Sequence, residues 1–128
     1  MTYVILAAVL LFMVQNFLPS WARSKSGEAE QKAFLRGARD TTPEHTILSA
    51  RMKRAQENML ENIIIFLPLA LLLESKGLGE GAALWAGVIW LLARAVYIVA
   101  YGKGLTPLRS LLYTVSLICM VVMGVSLL

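Results

Sequence analysis

Apolar residues fall into four blocks along the chain, separated by three polar connections, and nowhere alternate with the period of a strand. The first, VILAAVLLFMVQNFLPSW, runs from Val4 to Trp21 and carries Gln15 and Asn16 near its far end. Ser20-Trp21-Ala22 faintly resembles a signal-peptidase site, but Met1-Thr2-Tyr3 lacks a positive start, so the block reads as a retained span over about 3–21. The connection that follows, about 22–50, mixes charges with Gly and Pro and reads as an extramembrane loop with room for short helical pieces.

The second block poses a problem. In ARMKRAQENMLENIIIFLPLALLL, the purely apolar part from Ile63 to Leu73 is too short to cross a bilayer. Counted from Arg54, the helix reaches the roughly 20 residues that about 30 Å of hydrocarbon requires. A polar half-helix must therefore enter or skirt the membrane over 54–74. A short turn, Glu74 to Glu80, leads to a third block at 82–101, and a fourth occupies 107–128. Thr106 followed by Pro107 predicts the start of that last helix, with Thr106 as its cap. The fold expected is an all-α integral membrane protein: one domain over 1–128, a four-transmembrane-helix up-down bundle.

Composition agrees. Of 128 residues, 58% are apolar and 16% charged, with a mean hydropathy of +0.67, too much apolar surface for a soluble interior of this size. The net charge of +4 sits in connections that flank the apolar blocks, which speaks for a lipid bilayer and against nucleic acid as the partner. By the same rule the basic connections, including loop 22–50, belong on the cytoplasmic side, with both termini opposite. Cys119 has no second cysteine and lies in an apolar run, so it reads as a packing residue. His45 is the single histidine, has no second metal-type ligand at useful spacing, and reads as solvent-exposed; no metal site is expected.

Three polar stripes converge at one depth. Arg54, Asn58 and Glu61 share a face of the second span, with Arg51 just before them; Arg94, Tyr97 and Tyr101 end the third span; Arg109, Ser110, Tyr113 and Thr114 begin the fourth. Any one of these could merely anchor a helix at the interface, as Arg and Tyr often do. As a set they do more, because Arg94 lies inside an apolar run and Glu61 abuts one, so both ionisable groups need partners. A mutual Arg94 to Glu61 contact is one expectation. Several guanidinium groups with Asn, Glu and Tyr suit a small zwitterionic ligand bearing carboxylates. No histidine, cysteine or carboxylate pair here offers hydrolytic chemistry, so the reactive group would belong to the ligand.

Two stretches carry a resemblance. ARMKRAQENMLENIIIFLPLALLL is similar to the second-helix signature of the MAPEG family, the membrane-associated proteins in eicosanoid and glutathione metabolism, through Arg54-Ala55, Asn58 and Glu61. ARAVYIVAYGKGLTPLRSLLYT resembles that family's third-to-fourth helix passage through Arg94, Tyr97, Tyr101, Pro107, Arg109, Ser110 and Tyr113. The resemblance, to a chain of the microsomal glutathione transferase kind, implies a homotrimer that binds glutathione between neighbouring subunits. Arg54, Gln56, Asn58, Glu61, Tyr97 and Tyr101 would then contact glutathione, with Arg51, Arg94 and Tyr113 also in the binding site. Arg109, and second to it Ser110, would lie by the sulfur as the catalytic groups. Glu57, Asn62 and Leu117 depart from the eicosanoid-synthase pattern, which leaves a transferase or peroxidase acting on a hydrophobic small-molecule substrate. The runner-up is a noncatalytic lipid-binding or scaffold protein of the same fold.

Overall fold

The computed structural model describes residues Met1 to Leu128 and is wholly helical: α1 (Thr2–Lys25), α2 (Ala29–Arg36), α3 (Ile47–Ser75), α4 (Gly81–Lys103) and α5 (Thr106–Val125). Four of these, all but α2, are long and apolar enough to cross a membrane. The expected four spans are therefore present, and their helices depart most from the expected bounds at the end of α1 and the start of α3. α1 runs on to Lys25, and α3 begins at Ile47 rather than Arg54, because Thr46 caps it by accepting a hydrogen bond from the Ser49 N–H at 3.2 Å. At 29 residues α3 is about 44 Å long, more than the hydrocarbon needs, so its first turns stand clear of the apolar layer.

Thr106 is not the cap of α5. It is the first helical residue, Leu105 holds the cap position, and Pro107 falls in the first turn, where its missing N–H costs nothing. The α4–α5 turn is set by Gly104, whose φ of +73° only glycine adopts cheaply. Its N–H bonds to the Tyr101 carbonyl at 3.1 Å and the Leu105 N–H to the Ala100 carbonyl at 2.9 Å, which satisfies the last carbonyls of α4.

α3 and α4 pack along the centre of the bundle, and α1 and α5 each touch both of them without touching each other. The central seam has the 3-4 spacing of packed antiparallel helices. On α4 it is Ala83, Ala86, Trp90, Ala93, Tyr97 and Ala100, and on α3 it includes Met52, Ala55, Met59, Asn62, Phe66, Ala70 and Leu73, all buried. The backbones lie closest between α1 and α3 and between α4 and α5, while α3 and α4 meet more loosely, largely through longer side chains such as Phe66 and Trp90. Phe66 and Trp90 stack at mid-seam with ring centroids 3.7 Å apart and planes within 8°. One helical turn beyond them the seam changes character, with Asn62 on α3 and Arg94 on α4.

Removing the stacked ring tests the seam. Phe66→Ala leaves a void beside Trp90 and should cost about 2 kcal/mol, the cavity part of a large-to-small change, since lipid supplies little transfer energy. Reversible unfolding in mixed micelles measures it; an unchanged midpoint would contradict this packing.

Candidate functional site

Beyond the Phe66–Trp90 stack, the seam between α3 and α4 is polar down to the turn before α5. Arg94, only 1% exposed, donates from Nη2 to Asn58 Oδ1 at 2.8 Å. Its guanidinium lies 4.3 Å from the centre of the Tyr97 ring, and the Tyr97 and Tyr101 rings are 5.6 Å apart. Arg54 Nε donates to the Tyr101 hydroxyl at 3.2 Å. Arg109, from the start of α5, places its guanidinium 4.8 Å from the Tyr101 ring centre. Positive charges over aromatic faces are attracted by the ring quadrupole, so Tyr101 gathers Arg54 and Arg109 from two different helices.

The structure thus brings together Arg54, Asn58, Arg94, Tyr97, Tyr101 and Arg109, as the converging stripes led one to expect. One expected contact is absent, and Gln56, Arg51, Ser110 and Tyr113 lie outside these contacts in the single chain. Arg94 does not pair with Glu61: its partner is Asn58, one turn earlier, and Glu61 is exposed with no ion pair. Spacing puts both α3 residues on one stripe, but only Asn58 lies close enough to the seam. Gln56 lies on another side of α3, where its Nε2 donates to Asn16 Oδ1 of α1 at 2.6 Å, because two residues along a helix is more than half a turn. Arg51 is occupied by the turn: Nη1 donates to the Gly102 carbonyl at 3.0 Å, and a Cβ on Gly104 would come within 2.9 Å of its guanidinium. Ser110 and Tyr113 are exposed on α5, and no side-chain bond joins them to the cluster.

The outer side of the cluster, marked by Arg54, Glu61, Ser110 and Tyr113, is open in the single chain. A polar hollow of about 370 Å³ elsewhere, lined by Phe34, Arg39, Asp40 and Thr41 among others, belongs to the loop after α2 and shares none of these residues. The positive charges are not neutralised within the chain: none of Arg51, Arg54, Arg94 and Arg109 forms an ion pair, and Glu57 sits 3.6 Å from Lys53 instead. What this arrangement can do is hold an anion against aromatic faces at the membrane boundary.

One residue was not legible in the sequence. Arg23, at the end of α1, is 3% exposed and ties the whole first loop together. Its guanidinium bonds Gln31 of α2, donates to the Pro43 carbonyl at 3.4 Å and meets the His45 ring at 3.0 Å. It also lies over Phe34, 4.9 Å from the ring centre. His45 is largely open to water, as expected, yet it is fastened, with Nδ1 also 3.0 Å from Ser49 Oγ. No local pattern announces this knot, because the partners of Arg23 come from across a loop.

A small, four-span helical membrane protein with a cationic and aromatic site at one end of its bundle is what fold and site define. The chain belongs to the MAPEG family, whose family model matches residues 1–128. Members of this family use glutathione, and they include transferases, peroxidases and noncatalytic proteins. No curated protein and no solved structure matches the chain.

Two measurements check this geometry. Partial burial, then Arg23, Lys53 and Arg54, hold His45 below the ordinary imidazole value, and Glu57 opposes them weakly. A lowered folded value means that the unfolded chain binds the proton more readily. The contribution of His45 is therefore complete above about pH 6.5 and is lost as pH falls through the lower folded value. Melting followed from pH 8 to 5 should fall less steeply for His45→Gln than for the native chain; identical slopes would contradict the bonding to Arg23. In the turn, Arg51→Ala frees the Gly102 carbonyl at a cost of about 1 kcal/mol, so amide exchange over Gly102 to Arg109 should rise about fivefold. Unchanged exchange there would mean that Arg51 does not hold the turn.

Proposed function

We propose that this chain is a membrane glutathione transferase or glutathione-dependent peroxidase that activates the glutathione thiol for attack on lipophilic electrophiles or lipid hydroperoxides. The observation that carries the reading is Arg109, whose guanidinium stands over Tyr101 beside Arg54 and at the N-terminal turn of α5. The donor set fits the ligand. Guanidinium groups such as Arg54 take carboxylates, exposed Glu61 takes an ammonium group, and Asn58 with Tyr97 and Tyr101 supplies hydrogen bonds and ring surface.

Arg109 supplies the chemistry that the protein adds. A thiol of ordinary pKa near 8.5 is mostly protonated at neutral pH; a guanidinium and the positive end of a helix dipole both favour the thiolate. In conjugation, thiolate sulfur forms a bond to an electrophilic carbon and the leaving group departs with its electron pair. In peroxide reduction, the thiolate sulfur attacks one peroxide oxygen to give a sulfenic acid, the O–O bond breaks and the departing alkoxide takes a proton to leave as the alcohol; a second glutathione thiol then displaces water from the sulfenic acid to give the disulfide. Ser110, exposed one residue on, is the second candidate to hold the sulfur.

The open outer side of the cluster supports a homotrimer, in which a neighbouring copy forms the other wall and brings Gln56 or Tyr113 to the ligand. The basic connections support a cytoplasmic site with the termini opposite. A second reading, the noncatalytic lipid-binding or scaffold protein, is favoured by a wholly apolar groove of about 410 Å³ between α4 and α5, lined by Trp85, Ile89, Ile118 and Val122 among others.

Ultraviolet difference absorbance on adding glutathione at neutral pH separates the two readings. The transferase reading expects a thiolate band that Arg109→Ala reduces by about fivefold or more, as a rise of about one pKa unit or more from near neutrality does. Absence of the band in the native chain, with lipid still bound, would favour the scaffold.

A further inference from the structure

Asn58 is a hub with one end committed. Its side-chain oxygen accepts from Arg94 Nη2 at 2.8 Å, and its backbone carbonyl accepts from Asn62 Nδ2 at 2.9 Å. The direction of the first bond is not a matter of choice, because a guanidinium has five N–H donors and no acceptor. Asn58 Oδ1 must therefore face Arg94, and the planar amide then turns its NH2 group the other way. No hydrogen bond within the chain engages that group and it is not sealed off from the surface, so it is free to donate to a ligand.

Arg94 is bound to this task by its surroundings. It is 1% exposed, no carboxylate pairs with it, and its Nε and Nη1 find no acceptor within the chain. Such a cation inside a membrane bundle is costly, and truncating one partner of a buried polar pair leaves the other stranded. The same wall carries Arg54 and Arg109, so Arg94 adds to positive charge already there.

We infer that Arg94 is a positioning residue that sets the hydrogen-bond polarity of the site: by taking Asn58 Oδ1 it presents Asn58 as a donor, so the ligand must offer an acceptor, a carboxylate or a peptide carbonyl, at that point. This rests on the glutathione reading and deepens it. Arg94 does not touch the ligand, and Asn58 discriminates against ligands that bring an N–H to the same place. A site of this kind accepts acidic peptides and rejects their amidated or reduced counterparts.

Three variants and one spectrum test it. Asn58→Asp keeps a partner for Arg94 but replaces the outward donor with an acceptor bearing negative charge; calorimetry should show glutathione binding weakened by about 30-fold or more. Arg94→Lys still only donates, so affinity stays within about threefold. Arg94→Gln can accept from the Asn58 amide and lets it turn over. With an aryl halide as electrophile, the glutathione KM should then rise about tenfold, while kcat and the thiol pKa, which Arg109 governs, do not move. Native-like binding by Asn58→Asp, or an unchanged KM in Arg94→Gln, overturns the inference. The spectrum needs neither folding variants nor a bound ligand. The chain has three asparagines, Asn16, Asn58 and Asn62. With these labelled, the Asn58 side-chain amide protons should exchange rapidly in the free protein, and protection there would contradict an outward donor. A native chain that binds no glutathione refutes the proposed function alone, and this exchange reading still decides the polarity.

Discussion

A guanidinium sealed inside a membrane bundle, with one asparagine oxygen to hold it, is the constraint around which the rest is arranged. Arg94 cannot sit in hydrocarbon alone, and its contact with Asn58 ties α4 to α3 at one register. The same register stacks Phe66 on Trp90 toward the apolar end and brings Arg54 to Tyr101 and Arg51 to Gly102 toward the basic end. The polar half of the seam therefore fixes the pairing that the apolar half, made of alanines and interchangeable aliphatics, would fix less sharply.

The length of α3 follows from the same division. Its apolar half serves the membrane, and its polar half continues as a wall from which Arg51, Arg54 and Asn58 reach α4. Arg51 holds the α4–α5 turn, and Gly104 has no side chain to obstruct it. That turn delivers Arg109 to the face of Tyr101. Three helices thus meet at one aromatic ring, and a charge placed there can act on a group arriving from either water or lipid.

Much of this was legible in the chain. Hydropathy located the four spans, because a bilayer imposes a minimum apolar length that few other contexts require. Helical spacing found the stripe of Arg54 and Asn58 and the run of Arg94, Tyr97 and Tyr101. Spacing names a face, however, and does not name a partner. It could not tell that Asn58 rather than Glu61 lies against Arg94, nor that Gln56 turns to Asn16 on α1. The helix of α3 starts seven residues before the span counted from Arg54, because polar helical turns resemble a loop until a cap such as Thr46 is weighed. The Arg23 knot, with Gln31 and His45 brought together by loop closure, has no signature in any short window.

The most direct test of the central claim is a structure determined in detergent or nanodiscs with glutathione bound. The ligand should lie against the Arg54, Asn58 and Tyr101 wall, with its sulfur beside Arg109 and a carbonyl or carboxylate oxygen on the Asn58 amide. Glutathione density confined to the loop hollow by Arg39, or a thiol turned away from Arg109, would contradict it.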